Sequence, residues 1–84
     1  MIENIELRLG VEAHKYIYEE FDITETRRDG EYFIVKIAAA PEYKIVNYIL
    51  NEGGDAKLLN HPELAAVVIK RAKKAIKVHE EPQN

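Results

Sequence analysis

The sequence predicts an α+β fold, four strands and three helices in the order β-α-β-β-α-β-α. Three observations carry this. The spacing of apolar residues switches from every second residue to every third or fourth and back, twice, on either side of an Asp29-Gly30 turn signal. Eighty-four residues at 46% hydrophobic and 32% charged suit one soluble globular domain with a single modest core. A chain of this size without cysteine must hold itself together by packing, because disulfides and thiolate metal sites are excluded.

Ile5-Glu6-Leu7-Arg8-Leu9 alternates apolar and charged side chains, as a strand with one buried face does, and Gly10 ends it. From Val11 to Phe21 the period becomes helical: Val11, His14, Ile17, Tyr18 and Phe21 fall on one face, with Glu12 near the start where the helix dipole favours it. Ile23 to Arg27 reads as a short polar strand suited to a sheet edge, and Tyr32 to Ala39 as a stronger, central one. Between them a two-residue Asp29-Gly30 turn would set Thr24 and Thr26 opposite Val35 and Phe33. A three-residue loop with Gly30 left-handed would set Ile23 opposite Val35, and is preferred because it buries Ile23.

Pro41 stands where a second helix begins, Ile45, Val46, Ile49 and Leu50 form its apolar stripe, and Gly53-Gly54 stops it. Ala56 to Leu59 suffices for a short strand only. Asn60 and Glu63 have capping-box spacing, with Pro62 inside the first turn. Leu64, Ala65, Val68, Ile69, Ala72, Ala75 and Ile76 then keep the helical period, and residues 80–84, with Pro82, read as a flexible tail to a domain of residues 1–79. A β-α-β unit repeated around a hairpin closes, with right-handed crossovers, into a ferredoxin-like β-α-β-β-α-β sandwich: a four-stranded antiparallel sheet, order 4-1-3-2, with two helices on one face and an added C-terminal helix. Its expected core is Leu7, Leu9, Ile17, Phe21, Phe33, Val35, Ile37, Ile45, Ile49, Leu58, Leu64 and Val68.

Charge is unevenly spread. Residues 1–69 hold seven basic and thirteen acidic groups, net −6, whereas residues 70–77 hold Lys70, Arg71, Lys73, Lys74 and Lys77, net +5. An acidic body is a poor binder of nucleic acid, since phosphate attraction follows clustered positive potential. Lys70, Lys73, Lys74 and Lys77 share one helix face. They complement the dipole at the helix end and keep that face soluble, or alternatively meet an acidic partner or nucleic acid. The sheet face away from the helices should carry Glu6, Arg8, Tyr32, Ile34 and Lys36. One aromatic, Tyr32, is too few for a base-stacking platform.

Enzyme signatures are missing. No serine, no H-x-x-x-H, no G-x-S-x-G and no phosphate-binding glycine loop occur. Acylphosphatase chemistry, which this fold can host, needs an anion cradle after the first strand, where Gly10-Val11-Glu12-Ala13 instead places a carboxylate. His14, His61 and His79 sit on three different elements: a packed helix face, a helix start and a solvated tail. A non-catalytic domain with no cofactor and no metal is expected. No apolar run approaches the roughly 18 residues of a membrane span, and Met1-Ile2-Glu3-Asn4-Ile5-Glu6 is no signal peptide, so a cytoplasmic location without membrane contact is expected.

From Asp29 onward the order of motifs resembles a known module. Asp29-Gly30, the strand to Ala39, Ile45 to Gly54 with its glycine stop, Ala56 to Leu59, and Pro62-Glu63-Leu64 follow one another as in the C-terminal extension (WCX) domain of WYL-domain helix-turn-helix transcriptional regulators. Ile5 to Leu9 and Val11-Glu12-Ala13 resemble its opening strand and helix, so the resemblance covers nearly the whole chain. Tyr48 stands where a Trp is common in that module. The resemblance implies a bacterial regulatory or dimerisation domain, either excised from its DNA-binding and WYL parts or a stand-alone relative that senses a small molecule. It supplies no catalytic residues. DNA contact is then the work of upstream domains, the effector is unknown, and a weak homodimer is expected through the last helix or the face around Tyr32 and Ile34.

Overall fold

The computed structural model describes residues 1–82. Strand β1 (Ile2–Leu9) is followed by α1 (Val11–Glu20), the hairpin β2 (Ile23–Asp29) and β3 (Tyr32–Ala40), then α2 (Glu42–Glu52), one 3₁₀ turn (Gly53–Asp55), β4 (Ala56–Leu58) and α3 (Pro62–Glu80). The antiparallel sheet runs β2-β3-β1-β4, the predicted order, with the two most apolar strands central. Helix α3 continues through Glu80, one residue into the stretch expected to be a tail; residues 83 and 84 of that stretch lie outside the described residues.

β1 pairs Ile5, Leu7 and Leu9 with Ile37, Val35 and Phe33, so one alternating set from each central strand faces the helices. Ile5, Leu7, Leu9, Val35, Ile37, Ile17 and Ile45 are wholly buried there, with Leu64 of α3 at 1% exposure. Phe33, Leu58 and Val68, expected in the core, are only half-buried, and Ala13, Ala40, Val46, Tyr48 and Ala56 join it instead.

The α1 face is turned from the one expected. Val11 and Tyr18 are about half exposed, and Ala13 and Ile17 are buried. A small residue lets the helix approach the sheet closely, so Ala13 outcompetes the bulkier Val11 for the contact.

The hairpin takes neither expected register. Asp29 pairs with Tyr32, leaving Gly30-Glu31 as the two-residue loop, and Thr26 lies opposite Val35. Gly30 has φ +63° at the first central position, where a type II′ turn requires it. In that register Ile23 would point away from the helices. A bulge between Ile23 and Glu25 inserts one residue and sets Ile23 opposite Ile37, returning its side chain to the core.

The start of α3 is also built differently. Asn60 caps nothing. Its carboxamide extends the β4 ladder by one rung: Oδ1 accepts from Glu6 N (3.0 Å) and Nδ2 donates to Asn4 O (2.7 Å). His61 is the residue before the helix, held at φ 57°, and its Nε2 donates to the carbonyls of Glu3 (2.9 Å) and Asn4 (3.2 Å). Asn4 is itself left-handed at φ 52°, so two strained residues lock each other where α3 leaves the sheet.

Candidate functional site

Helix α3 divides into an anchored and a free half. Leu64 is buried, Val67 and Val68 pack on the core, and Arg71 Nη1 donates to Asn47 Oδ1 of α2 at 2.8 Å. It therefore lies beside α2 and leaves the open sheet face uncovered. Past Arg71 only Ala72 is even half-buried, and this overhang accounts for the 48 × 28 × 21 Å outline. Lys70, Lys73, Lys74 and Lys77 share one face, as their spacing predicts, and all are exposed; none forms an ion pair among the described residues.

Beside the lysines runs an apolar stripe without cover. Ile69 is 52% and Ile76 58% exposed, with Ala72 between them on the same side. Toward the body the stripe becomes one wall of a cavity of about 450 Å³, formed by Ala65, Val68 and Ile69 against Leu58 and Ala56 of edge strand β4 and Ile49 of α2, with Arg8 and Lys57 at its rim.

The open sheet face carries the expected Glu6, Arg8, Tyr32, Ile34 and Lys36, but Ile34 gives it no exposed apolar centre. Ile34 is only 4% exposed although no helix lies over it. Its cross-strand neighbours are Arg8 and Arg27, whose long aliphatic stems cover apolar surface while their charged ends stay in water. The Arg8 guanidinium also stacks 4.4 Å over the Tyr32 ring. Around them Lys36 pairs with Glu25 at 3.0 Å and Arg27 with Glu6 at 4.0 Å. Glu25 raises the Lys36 pKa, through its hydrogen bond first and its charge second. The face is a lattice of exposed ion pairs, each of small energetic worth.

The histidines stay apart. His14 stacks flat on Phe33, ring centroids 3.8 Å apart, and its Nε2 joins a hydrogen-bond chain to the Tyr18 hydroxyl and on to Thr26, 2.9 Å at each step. His61 bonds the β1 carbonyls, and His79 Nδ1 donates to Ala75 O at 2.8 Å. No group of three metal-ligating side chains comes together among the described residues.

One site was not foreseen. Between the end of α1 and the outer side of α2 lies a cavity of about 330 Å³, lined by Glu20, Tyr43, Lys44, Asn47, Tyr48 and Asn51. Tyr48 is 8% exposed, its ring meets Phe21 edge-on at 5.2 Å, and its buried hydroxyl has no hydrogen-bond partner among the described residues. Burial pushes its phenol well above the ordinary tyrosine range, with Glu52, Glu20 and Asp55 adding in the same direction. The sequence signal was available: Tyr48 follows Ile45 by three residues and so lies on the buried stripe of α2, where a phenol needs a partner.

A ferredoxin-like sandwich with an overhanging third helix defines the class, a small α+β domain. The chain belongs to the WCX domain family, which matches it over residues 2–76. With that family comes the role of a regulatory domain associated with WYL-type regulators. No curated protein and no solved structure matches the chain.

Proposed function

We propose that this domain is a non-catalytic regulatory and self-association module of a WYL-type bacterial transcription regulator. It works in the cytoplasm, apart from the helix-turn-helix and WYL parts that would contact DNA. The observation that carries the association is the stripe on α3 that runs from Ile69 past the half-buried Ala72 onto Ile76 of the free half, with both isoleucines more than half exposed. Apolar surface at this density on an overhanging helix gains free energy when a second surface covers it. The occupant is a second copy of the chain. The body at −6 and the helix end at +5 attract each other between copies, so a two-fold pairing that lays each α3 end along the partner's body satisfies the stripe and the lysines together. Such a pair would also hold two DNA-binding heads at the spacing of two half-sites.

Sedimentation of the domain from about micromolar to about millimolar concentration tests this, the range in which a modest interface of a small domain associates. A weak homodimer is expected, and Ile76→Asp, at an exposed position, should leave the fold intact and the domain monomeric. A monomer throughout for the unaltered chain would remove the association. A second reading, small-molecule sensing, is favoured by one observation, the unpartnered hydroxyl of Tyr48.

A further inference from the structure

We propose that the cavity between the end of α1 and the outer side of α2 binds a small zwitterion of the free α-amino-acid class. The argument begins at Tyr48. A buried hydroxyl without an acceptor destabilises the fold by about 1–3 kcal/mol, and such groups persist where something other than the fold uses them. Tyr48 is 8% exposed, lines the cavity, and is the buried side-chain polar atom without a partner among the described residues. Its phenol keeps its proton, so what it lacks is an acceptor.

The other lining groups define what brings that acceptor. Lys44 Nζ donates one hydrogen bond, to Glu20 O at 2.6 Å, and sits 4.9 Å from the centre of the Phe21 ring. An ammonium has three donors, so Lys44 keeps capacity for a carboxylate. Asn47 gives its Oδ1 to Arg71, which leaves its amide N–H groups as donors. Asn51, one turn further along α2, lines the same cavity and is exposed. Tyr48, Lys44 and Asn47 thus supply the cavity lining with donors suited to an anionic group, the Tyr48 hydroxyl among them once a neighbour turns aside. Glu20, at the negative end of α1, opposes a bare anion and suits a cation. A ligand with a carboxylate and an ammonium a few bonds apart satisfies both sides, whereas an anion alone meets Glu20 and an amine alone meets Lys44. The volume, near the lower bound of about 300 Å³ for ligand cavities, fits a small metabolite. The hydroxyl is closed off from bulk water, so a ligand reaches it by displacing a neighbour. Lys44, held by one hydrogen bond and one ring contact, and Tyr43, 69% exposed, are the lining side chains with freedom to rotate.

The site uses α1 and α2 rather than the free half of α3, and it is tested by a different measurement from self-association, so either claim can fail alone. Amide chemical-shift titration of the 84-residue chain with each proteinogenic L-amino acid tests it, with acetate, methylamine and nucleoside monophosphates titrated in parallel. At least one amino acid should bind with Kd below about 1 mM, shifting residues of the α1 end and α2, and acetate and methylamine should bind at least about tenfold more weakly. Tyr48→Phe should weaken binding about tenfold, the worth of one hydrogen bond, while the free domain melts no lower than before. Asn51→Ala, at an exposed position, should weaken binding without altering the fold. The proposal is overturned if no amino acid binds below about 10 mM, if acetate binds as tightly as any amino acid, if only nucleotides bind, or if Tyr48→Phe keeps full affinity.

Discussion

Leu7→Ala tests the central assignment, which strand face meets the helices. Leu7 is wholly buried in the middle of β1, with Val35 on one neighbouring strand and Leu58 on the other. The substitution removes three carbons, about 2.4 kcal/mol of transfer free energy at about 0.8 kcal/mol each, and the cavity left between two paired strands adds to it. A total of about 2.5–4 kcal/mol is expected, out of about 4–13 kcal/mol for a domain of this length. The matched control is Ile34→Ala on the opposite face. Ile34 is 4% exposed, but its cover is arginine stems, which can settle into the space, so its loss should be nearer about 1–2 kcal/mol. Urea unfolding followed by far-ultraviolet circular dichroism, with an unchanged m-value, measures both. A loss below about 1 kcal/mol for Leu7→Ala, with a larger one for Ile34→Ala, would show the faces to be reversed.

Asn60→Ala should cost about 1–3 kcal/mol, because Glu6 N and Asn4 O each lose a partner, and the Glu6 amide should exchange faster with deuterium. Stability should fall as pH rises above about 10: the unfolded chain then releases the Tyr48 proton that the folded state retains, and the slope should be shallower in Tyr48→Phe by up to about 1.4 kcal/mol per pH unit. Absorbance titration should show a tyrosine ionising well above the ordinary phenol range, and that step should be missing in Tyr48→Phe. The isolated domain should bind duplex DNA weakly at most and lose it by physiological salt; submicromolar binding there, abolished by changing Lys70, Lys74 and Lys77 to Glu, would contradict the assignment of the lysines to a solvated or protein-facing surface.

Strand order and helix positions were legible because they rest on periodicity, which survives without knowledge of neighbours. What was illegible required them. The α1 face turned on Ala13, which periodicity undervalues because alanine is weakly hydrophobic, yet its size decides how closely the helix sits. The β2 register turned on a bulge that moved Ile23 one position, a choice made by the β3 partner and not by the β2 residues themselves. Ile34 reads as an outward apolar residue, and only the pairing shows that Arg8 and Arg27 flank it. Asn60 and Glu63 match a capping box, but Asn60 is drawn to unpaired groups of β1, more than fifty residues away in sequence. The lysine face and the apolar positions of α3 could be placed from spacing alone, since a helix end without tertiary partners keeps its local geometry.

The two proposed surfaces meet at one hydrogen bond. Asn47 lines the α1–α2 cavity and also accepts from Arg71, the last polar tie between α3 and the body before the free half begins. Leu64, Val67 and Val68 hold the first half of α3 through burial, and Arg71 adds one exposed hydrogen bond to α2 where the overhang begins. Under the two proposals, a ligand that engages the Asn47 carboxamide would bear on that hydrogen bond, and so on the overhang that carries Ile76 toward a second copy. Coupling of this kind is reciprocal, so a dimer that fixes the free half also fixes Asn47 and the cavity it lines. If both proposals hold, α2 and α3 would together form a regulatory relay joined by the Asn47–Arg71 hydrogen bond, with a site that is occupied on one side and a helix end that associates on the other.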